Sequence, residues 1–488
     1  MSLKLHNTLT RQTEDFAPLR DGHVRIYVCG LTPSAQAHLG HARSFLFFDV
    51  LRRYLEFRGY RVTYVQNVTD IDDRSIARAL ETGDDWREIV AGYYAEFKAA
   101  MRKLGVREPD AEPYATAFIA SIQTMIRELV EKKYAYASED GIYYRVGAFA
   151  RYGHLSRRNV DELLVGARIE VDEHKDDPLD FALWKFAKSG EPSWPFEPYG
   201  AGRPGWHIEC SAMARDLLDP AGNGFDIHGG GADLIFPHHE NEIAQSEPLM
   251  HRPPMARFWV HGGLLLFEGR KMSKSLGNFE PLADLLERHD PQALRLLFLQ
   301  TGYRKVMNFT EESVAGANVV LDRLKKAYRA LYVAQAPPGT PAVDGLLSRV
   351  AGALDDDVNT SVALSHVLAF ASAAANGDAP DGASKLEAFS DYVRALTLLG
   401  IEPGDGWLVE SAAAVPENFA QRIRGALGDD VALDGATAEE AVGRVVALRT
   451  AARERKDWAA SDRLRDALAE CGILIKDGKD GTTWTVAG

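Results

Sequence analysis

The run His23-Val24-Arg25-Ile26-Tyr27-Val28-Cys29-Gly30, followed by His38–Arg58 and Tyr60–Asn67, decides the fold. The first run is short, β-branched and largely apolar, and Gly30 closes it, so it reads as a strand. A loop containing Pro33 follows. Across His38–Arg58 the residues Phe45, Phe48, Leu51 and Leu55 recur at helical spacing, and Gly59 stops the helix. Tyr60–Asn67 reads as the next strand. Strand, crossover helix and strand imply a parallel sheet. In such sheets ligands gather beyond the carboxyl ends of the strands. Cys29 stands at one such end, and Asn67-Val68-Thr69-Asp70-Ile71-Asp72-Asp73 stands at another.

Working outward, residues 85–135 carry a helical pattern. Residues 140–200 are mixed, with several prolines, and read as an insertion with short strands. Gly205–Phe267 returns to α/β character, and helices dominate 283–335. Ala334–Gly345 is a linker by composition. Ala-rich helical segments follow to about residue 400. Pro416–Leu427 reads as a short helix with proline at its first position, and Gly428–Gly435 as an acidic linker. Thr437 with Glu440 fits a capping box ahead of an Ala/Val/Leu-rich helix. A second helix runs from Trp458 to Glu470 and stops at Gly472. No repeat of 20–50 residues is visible.

The chain has 488 residues, enough for several domains. A hydrophobic fraction of 46% supports a sizeable core and excludes wholesale disorder. No run reaches the ~18 apolar residues of a membrane span. The first residues lack an apolar signal-peptide core, so the expected compartment is the cytoplasm. A formal charge of −14 disfavours nonspecific nucleic-acid binding but leaves room for a local patch. Cys29, Cys210 and Cys471 are odd in number, which argues against a disulfide framework.

Chemistry concentrates where the histidines do. Six of fourteen (His207, His228, His238, His239, His251, His261) fall between 207 and 261. In Pro237-His238-His239-Glu240-Asn241-Glu242, proline favours a helix start, and His238 and Glu242 then share a face at i, i+4. Cys210 lies on another expected helix, Gly205–Met213. With Cys29, these residues could form a four-ligand zinc site, since two thiolates favour zinc over calcium or magnesium. The alternative is two buried cysteines and a polar helix face. His38-Leu39-Gly40-His41 places two histidines at a helix N-terminus, where phosphate is attracted; two surface histidines are the competing reading. Lys271-Met272-Ser273-Lys274-Ser275 suits a clamp on a polyphosphate, or an ordinary basic turn. His228-Gly229-Gly230-Gly231-Ala232-Asp233 permits close approach of a flat ligand such as adenine, or forms a tight turn.

These pieces occur together and in order. The pairing of His-Leu-Gly-His with Lys-Met-Ser-Lys-Ser marks class I aminoacyl-tRNA synthetases. Cys29, Gly205–Met213 and Phe225–Gly231 through Ser246-Glu247 narrow the match. So do Lys456-Asp457-Trp458 and Gly481-Thr482-Thr483-Trp484 in the tail. The chain resembles the cysteinyl-tRNA synthetase family over nearly its whole length.

The resemblance implies an α/β fold: a Rossmann-type parallel-sheet catalytic domain (1–270) with a connective insertion (about 120–200). It further implies a stem-contact region (271–335), a helical bundle (345–427) and a small anticodon-binding domain (436–488). It implies one zinc ion on Cys29, Cys210, His238 and Glu242, and Mg²⁺ with ATP. His38, His41, Lys271 and Lys274 would be catalytic. His38, His41, Gly229, Gly230 and Lys274 would bind ATP. Gly30, Thr32, Thr69, Trp206, His207 and Asp233 would line the cysteine pocket. Arg453, Asp462 and Asp477 would contact the anticodon, in a tail where residues 441–484 hold nine basic and seven acidic side chains. Cys471, at helical spacing from Leu464 and Leu468, reads as core.

The partners implied are L-cysteine, ATP and tRNA-Cys, with no membrane, for a monomer. The chemistry implied is formation of cysteinyl-adenylate and transfer of the cysteinyl group to tRNA. Two departures from the family pattern stand out. The loop Leu31-Thr32-Pro33-Ser34 replaces the usual Pro-Thr-Val-Tyr, and Asp219–Gly224 is slightly long. Two other readings stay open: a tRNA-independent ligase joining cysteine to an amino sugar, and a non-catalytic synthetase-like protein that binds RNA or cysteine.

Overall fold

The computed structural model describes residues 2–158, 174–271, 280–333, 345–377, 384–409, 419–427, 433, 437–478 and 481–486. It divides into two compact units, Met1–Pro403 and Gly404–Gly488.

The first unit is built on a parallel four-stranded sheet. Its spatial order is Ala256–Gly262, Phe225–Gly231, His23–Leu31, Arg61–Val68. His23–Leu31 is central and buried on both faces, which its nearly continuous apolar sequence requires. Its one internal charge, Arg25, stands 3.6 Å from the Asp226 carboxylate and donates to the carbonyls of Leu218 and Gly224. The crossover helix spans Leu39–Phe57 and the next strand Arg61–Val68, close to the expected bounds. Gly59 adopts φ +87° at the stop. The carboxyl ends of these strands therefore gather Cys29, Gly231 and Gly262 at one edge.

The helical reading of 85–135 needs correction. Helices occupy Trp86–Lys103 and Ile119–Glu131, and the chain between them runs extended beside the sheet. There Gln66 and Val68 donate to the carbonyls of Ala111 and Pro113. Gly105 at φ +71° ends the first helix, and Pro109 and Pro113 lack the N–H that helix continuation needs. A hairpin of Lys4–Asn7 and Gln12–Asp15, absent from the sequence reading, lies against the other side. It is fixed by Thr8 N donating to Trp259 O at 2.8 Å.

The insertion does form short strands. Ala135–Ala137, Gly141–Tyr144, Phe181–Phe186 and Gly202–Pro204 make a four-stranded antiparallel sheet. After the parallel sheet comes a small sheet of Arg270–Lys271, Leu265–Phe267 and Met307–Phe309. Helices Leu282–Arg288, Pro291–Leu299, Glu311–Leu331, Leu346–Asp355, Thr360–Ala375 and Lys385–Leu398 complete the unit. Of the expected linkers, Ala334–Gly345 and Gly428–Gly435 lie outside the described residues except at Gly345 and Leu433.

The second unit packs Phe419–Leu427, Ala438–Glu454 and Trp458–Glu470 with a hairpin of Ile473–Gly478 and Gly481–Val486. Phe419–Leu427, expected with the bundle, belongs here instead. Phe419 and Ile423 are fully buried against Val442, Val445 and Leu468. Cys471 sits in this core, as expected. The Thr437–Glu440 capping box is formed, with Glu440 N donating to Thr437 Oγ1 at 3.3 Å. No helix among the described residues is long and apolar enough to cross a membrane.

Candidate active site and metal centre

Three separate elements bring four ligand atoms together. Cys29 comes from the central strand, Cys210 from the helix Trp206–Leu218, and His238 and Glu242 from the turn and helix after Phe225–Gly231. The local path differs from the expected one. The Phe236–Pro237 bond is cis, Phe236 is extended, and the α-helix proper starts at Glu240. His238 nonetheless meets Glu242 at 3.1 Å, Nε2 to Oε1. Cys29 Sγ lies 3.8 Å from Cys210 Sγ and 3.5 Å from Glu242 Oε1. All four ligand atoms fall within 4.8 Å of one another and all four residues are buried.

The donor set fits a tetrahedral zinc ion. Bonds of about 2.3 Å to sulfur and 2.0–2.1 Å to nitrogen or oxygen require edges of roughly 3.8 Å between sulfurs and 3.3 Å between nitrogen and oxygen. The observed separations of 3.8 and 3.1 Å match. A second grouping, Cys29, His228, His239 and Glu242, is also compact. It offers a single thiol and is the poorer match to a soft cation.

Around the four donors stands a layer of histidines. His228 Nε2 approaches the other Glu242 oxygen at 3.0 Å. His239 spans Cys29 Sγ at 3.3 Å and His261 at 2.7 Å, and His261 reaches Thr8 Oγ1 at 2.8 Å. His207 Nδ1 faces His238 Nδ1 at 2.9 Å. Five of the six histidines singled out in the sequence thus belong to one cluster; only His251 lies elsewhere.

Electrostatics separate the partners. Burial opposes a charged His238, but Glu242 and Cys210 outweigh it and raise its pKa to about 10. Burial would also lift Glu242, yet His228 and His238 bring it to about 2. Cys210 is pushed up by burial but falls to about 6 through hydrogen bonds from Cys29 and His238. Burial, followed by Cys210 and Glu242, raises Cys29. A cation displacing the His238 and Cys29 protons would take the place those protons fill.

Through Cys29 the centre adjoins a cavity of about 1340 Å³ lined also by Gly30, Thr32, His38, His41, Trp206 and Asp233, among others. His38 is the N-cap of Leu39–Phe57. Its Nδ1 accepts from Gly40 N at 3.0 Å, and His41 Nδ1 accepts from His38 N at 3.2 Å. Each neutral ring therefore carries its proton on Nε2. The rings stack at 3.9 Å. Burial, with His38 and Arg74 adding to it, lowers His41 to about 3, so it stays neutral near pH 7.

Other named residues fall differently. Thr69 is buried behind the cavity, where Asn67 Nδ2 donates to its Oγ1 at 3.2 Å and Asn67 Oδ1 accepts from Gly30 N at 2.8 Å. Gly30 must lack a side chain, because a Cβ would sit 1.6 Å from Asn67 O. Gly229 and Gly230 lie inside their strand, where a Cβ would strike Phe48 and Leu234; Gly231 is the member of the run that lines the cavity. Lys271 ends the strand Arg270–Lys271, and Lys274 lies outside the described residues. In the second unit, Asp477 accepts a two-pronged hydrogen bond from Arg449 at 2.9 Å and pairs with Arg453 at 2.6 Å, while Asp462 pairs with Arg465.

Sequence reasoning left Arg43, Arg74 and Arg78, which line the cavity, without a role. It also passed over Glu209, a buried carboxylate hydrogen-bonded to Thr69. Histidine density was the one signal that pointed beyond the four ligands.

The parallel sheet, its histidine-capped crossover helix and the cavity at the carboxyl ends of its strands make up a class I tRNA synthetase fold. The profile for the "tRNA synthetases class I (C) catalytic domain" matches residues 15–319, and that for the "Cysteinyl-tRNA ligase anticodon binding domain" matches 438–484. A cysteine–tRNA ligase of Azotobacter vinelandii is 44% identical over 488 residues, 99% of each chain. One of Pseudomonas aeruginosa is 45% identical over 490 residues, 99% of this chain and 100% of its own. Among solved structures, Mycobacterium tuberculosis methionyl-tRNA synthetase with methionyl-adenylate aligns at TM-score 0.54 and 16% identity, over 77% of this chain and 89% of that one. The ternary complex of an Agrobacterium radiobacter LeuRS with tRNA and LeuAMS aligns at TM-score 0.57 and 11% identity, over 81% and 89%. The chain belongs to the cysteine–tRNA ligase family.

Proposed function

We propose that the chain activates L-cysteine with ATP and transfers it to tRNA-Cys. One observation carries this reading: the four-donor centre meets, through Cys29, the same cavity as the His38–His41 helix start. In the first step the cysteine carboxylate oxygen attacks the α-phosphorus of ATP. The bond from that phosphorus to the bridging oxygen breaks, and pyrophosphate leaves. In the second step a terminal ribose hydroxyl of tRNA attacks the cysteinyl carbonyl, and AMP leaves with the bonding electrons. The protein supplies positioning and charge stabilisation, with no covalent nucleophile.

His38 and His41 donate Nε2–H to phosphate oxygens as their charge grows. Lys271 and Lys274 hold the triphosphate, Mg²⁺ accompanies ATP, and the strand that carries Gly229 and Gly230 presents Gly231 to the adenine side. Gly30, Thr32, Thr69, Trp206, His207 and Asp233 shape the cysteine pocket. Cys29, Cys210, His238 and Glu242 hold zinc, which when bound prefers a thiolate to a hydroxyl. Size alone separates such close analogues by only about 1–3 kcal/mol. His207 accepts from the far side of His238 and keeps that ring oriented.

The C-terminal unit reads the anticodon with Arg453, Asp462 and Asp477. Its presence disfavours the tRNA-independent ligase, which would lack it. The domain roles follow: catalysis in 1–270, stem contact in 271–335, and a bundle between these and the tail. The protein works as a cytoplasmic monomer.

The test is ATP-dependent attachment of labelled cysteine to total tRNA, with serine as control. Cysteine-only charging is expected. Cysteine-dependent pyrophosphate exchange without charging would instead indicate another acceptor, and neither activity a non-catalytic binder.

A further inference from the structure

Arg43 follows His41 by two residues on the same helix and is 6% exposed. Among the described residues no carboxylate lies within ion-pair distance of it, and burial alone lowers its pKa, to about 10. A buried cation without an anion is costly unless hydrogen bonds replace its water. Here five backbone carbonyls do so. Nη1 donates to Gly263 O at 3.1 Å and Leu264 O at 2.8 Å. Nη2 donates to Gly302 O at 3.3 Å, Tyr303 O at 3.5 Å and Lys305 O at 2.6 Å.

These carbonyls belong to two segments that abut. Gly263 N donates to Tyr303 O at 2.7 Å, and Met307 N to Leu264 O at 3.0 Å. The approach is so close that a Cβ on Gly263 would lie 2.5 Å from Arg304 O and 2.6 Å from Lys305 O. Both segments then enter the parallel pair Leu265–Phe267 and Met307–Phe309, whose neighbour ends at Lys271. Gly262, Gly263, Leu264 and Tyr303 line the same cavity as His38 and His41. One guanidinium thus joins the histidine-bearing helix to a wall made of two sequence-distant turns. A lysine, with a single point charge, could not span five acceptors in this fork.

We propose that Arg43 is a positioning residue for adenylate formation. It holds the wall of Gly263–Leu264 and Gly302–Lys305 in register with His38 and His41, so that groups on the wall and on the helix meet the phosphates together. The proposal rests on the ligase reading above. The role is geometric, so it is exerted on the chemical step. Cysteine capture at the thiol-rich centre, built from other elements, does not depend on it.

The experiment compares Arg43→Gln, Arg43→Lys and Gly263→Ala in the full-length chain by cysteine-dependent pyrophosphate exchange. Rates are expressed per zinc-loaded protein, and folding is followed by circular dichroism. For Arg43→Gln, kcat should fall about 100-fold, the cost of an ångström-scale misplacement, while KM for cysteine and zinc content hold. Gly263→Ala, which disturbs the same wall and leaves the charge, should reproduce that split. Arg43→Lys should fall between the wild type and Arg43→Gln, and it decides the matter with Gly263→Ala if the glutamine variant does not fold. Unchanged kcat in the folded variants, or a loss confined to KM for cysteine, would overturn the proposal. Absence of exchange in the wild-type protein would overturn the ligase reading itself, and this role with it.

Discussion

The Arg295 guanidinium meets the Asp49 carboxylate at 2.6 Å, and each side chain is 1% exposed. Asp49 lies midway along the helix that starts at the histidine pair. Arg295 comes from Pro291–Leu299 and also donates to Leu104 O and Leu399 O. The pair therefore locks the helix Leu39–Phe57 to Pro291–Leu299 and, through Leu399 O, to the end of Lys385–Leu398. Gly400 makes room for it, since a Cβ there would lie 1.8 Å from Arg295 Nη2. Removing one member of a buried pair leaves an uncompensated charge, which costs about 3–5 kcal/mol. Asp49→Asn should lose stability in that range in urea unfolding at pH 7. A loss below 1 kcal/mol would show that the carbonyls of Leu104 and Leu399 alone satisfy Arg295.

The same pair gives a pH dependence. Burial would raise the Asp49 pKa, but Arg295 and Arg53 outweigh it and hold the carboxyl below its ordinary value. The unfolded chain titrates near ~3.9, so it binds the proton first as pH falls. The stabilisation is fully present above that value and is lost as pH drops through the lower folded pKa. Wild type and Asp49→Asn should differ by a constant amount above about pH 5 and converge below about pH 4. A gap that persists undiminished in acid would exclude the ionic contribution.

Cys210→Ser tests the metal centre. The hydroxyl is a hard, protonated donor where the site is built for thiolate. Zinc affinity should fall further than the ~10–100-fold typical of losing an outer partner, and cysteine binding should fall with it. Metal analysis after dialysis and equilibrium binding of cysteine read the two separately. Retention of both would remove this cluster as the cysteine-recognition site.

The βαβ start was legible because apolar spacing and Gly59 are local signals. The four candidate metal ligands are legible as types, but their meeting depends on three distant elements and on an irregular turn at Phe236–Pro237 that no local rule foretells. Asp49, Arg43 and Glu209 were invisible as functional groups. Charged residues on a helix ordinarily read as solvated, and only the tertiary fold buries them. The extended run at 104–114 reads as helix because helical residues flank it on both sides, although Pro109 and Pro113 argue otherwise.

His41 offers a test of the phosphate reading. Burial, then His38 and Arg74, hold its pKa at about 3, so its protonation does not change across neutral pH. On the phosphate reading it acts as a neutral Nε2–H donor. His41→Ala should lower kcat for pyrophosphate exchange by roughly 10²–10³-fold, the value of one preorganised donor, and leave zinc content intact. The wild-type rate should show no inflection from His41 between pH 5.5 and 8. A variant with full kcat and a raised KM for ATP would make His41 a ground-state contact only.

Arg453→Ala separates the two halves of the reaction. Arg449 already holds Asp477 through both carboxylate oxygens, and burial of Arg449 at 6% exposure makes that pair the scaffold. Arg453 is 40% exposed and bonds the same carboxylate from its outer side, which makes it the side chain best placed to exchange partners with an unstacked base. Losing one such contact is worth about 1–3 kcal/mol, so KM for tRNA should rise by about tenfold or more. Pyrophosphate exchange needs no tRNA and should be unaffected, because the substitution lies in the second unit, outside the catalytic one. A fall in exchange would mean that the change reaches the catalytic unit; unchanged KM for tRNA would place the anticodon contact elsewhere on this unit.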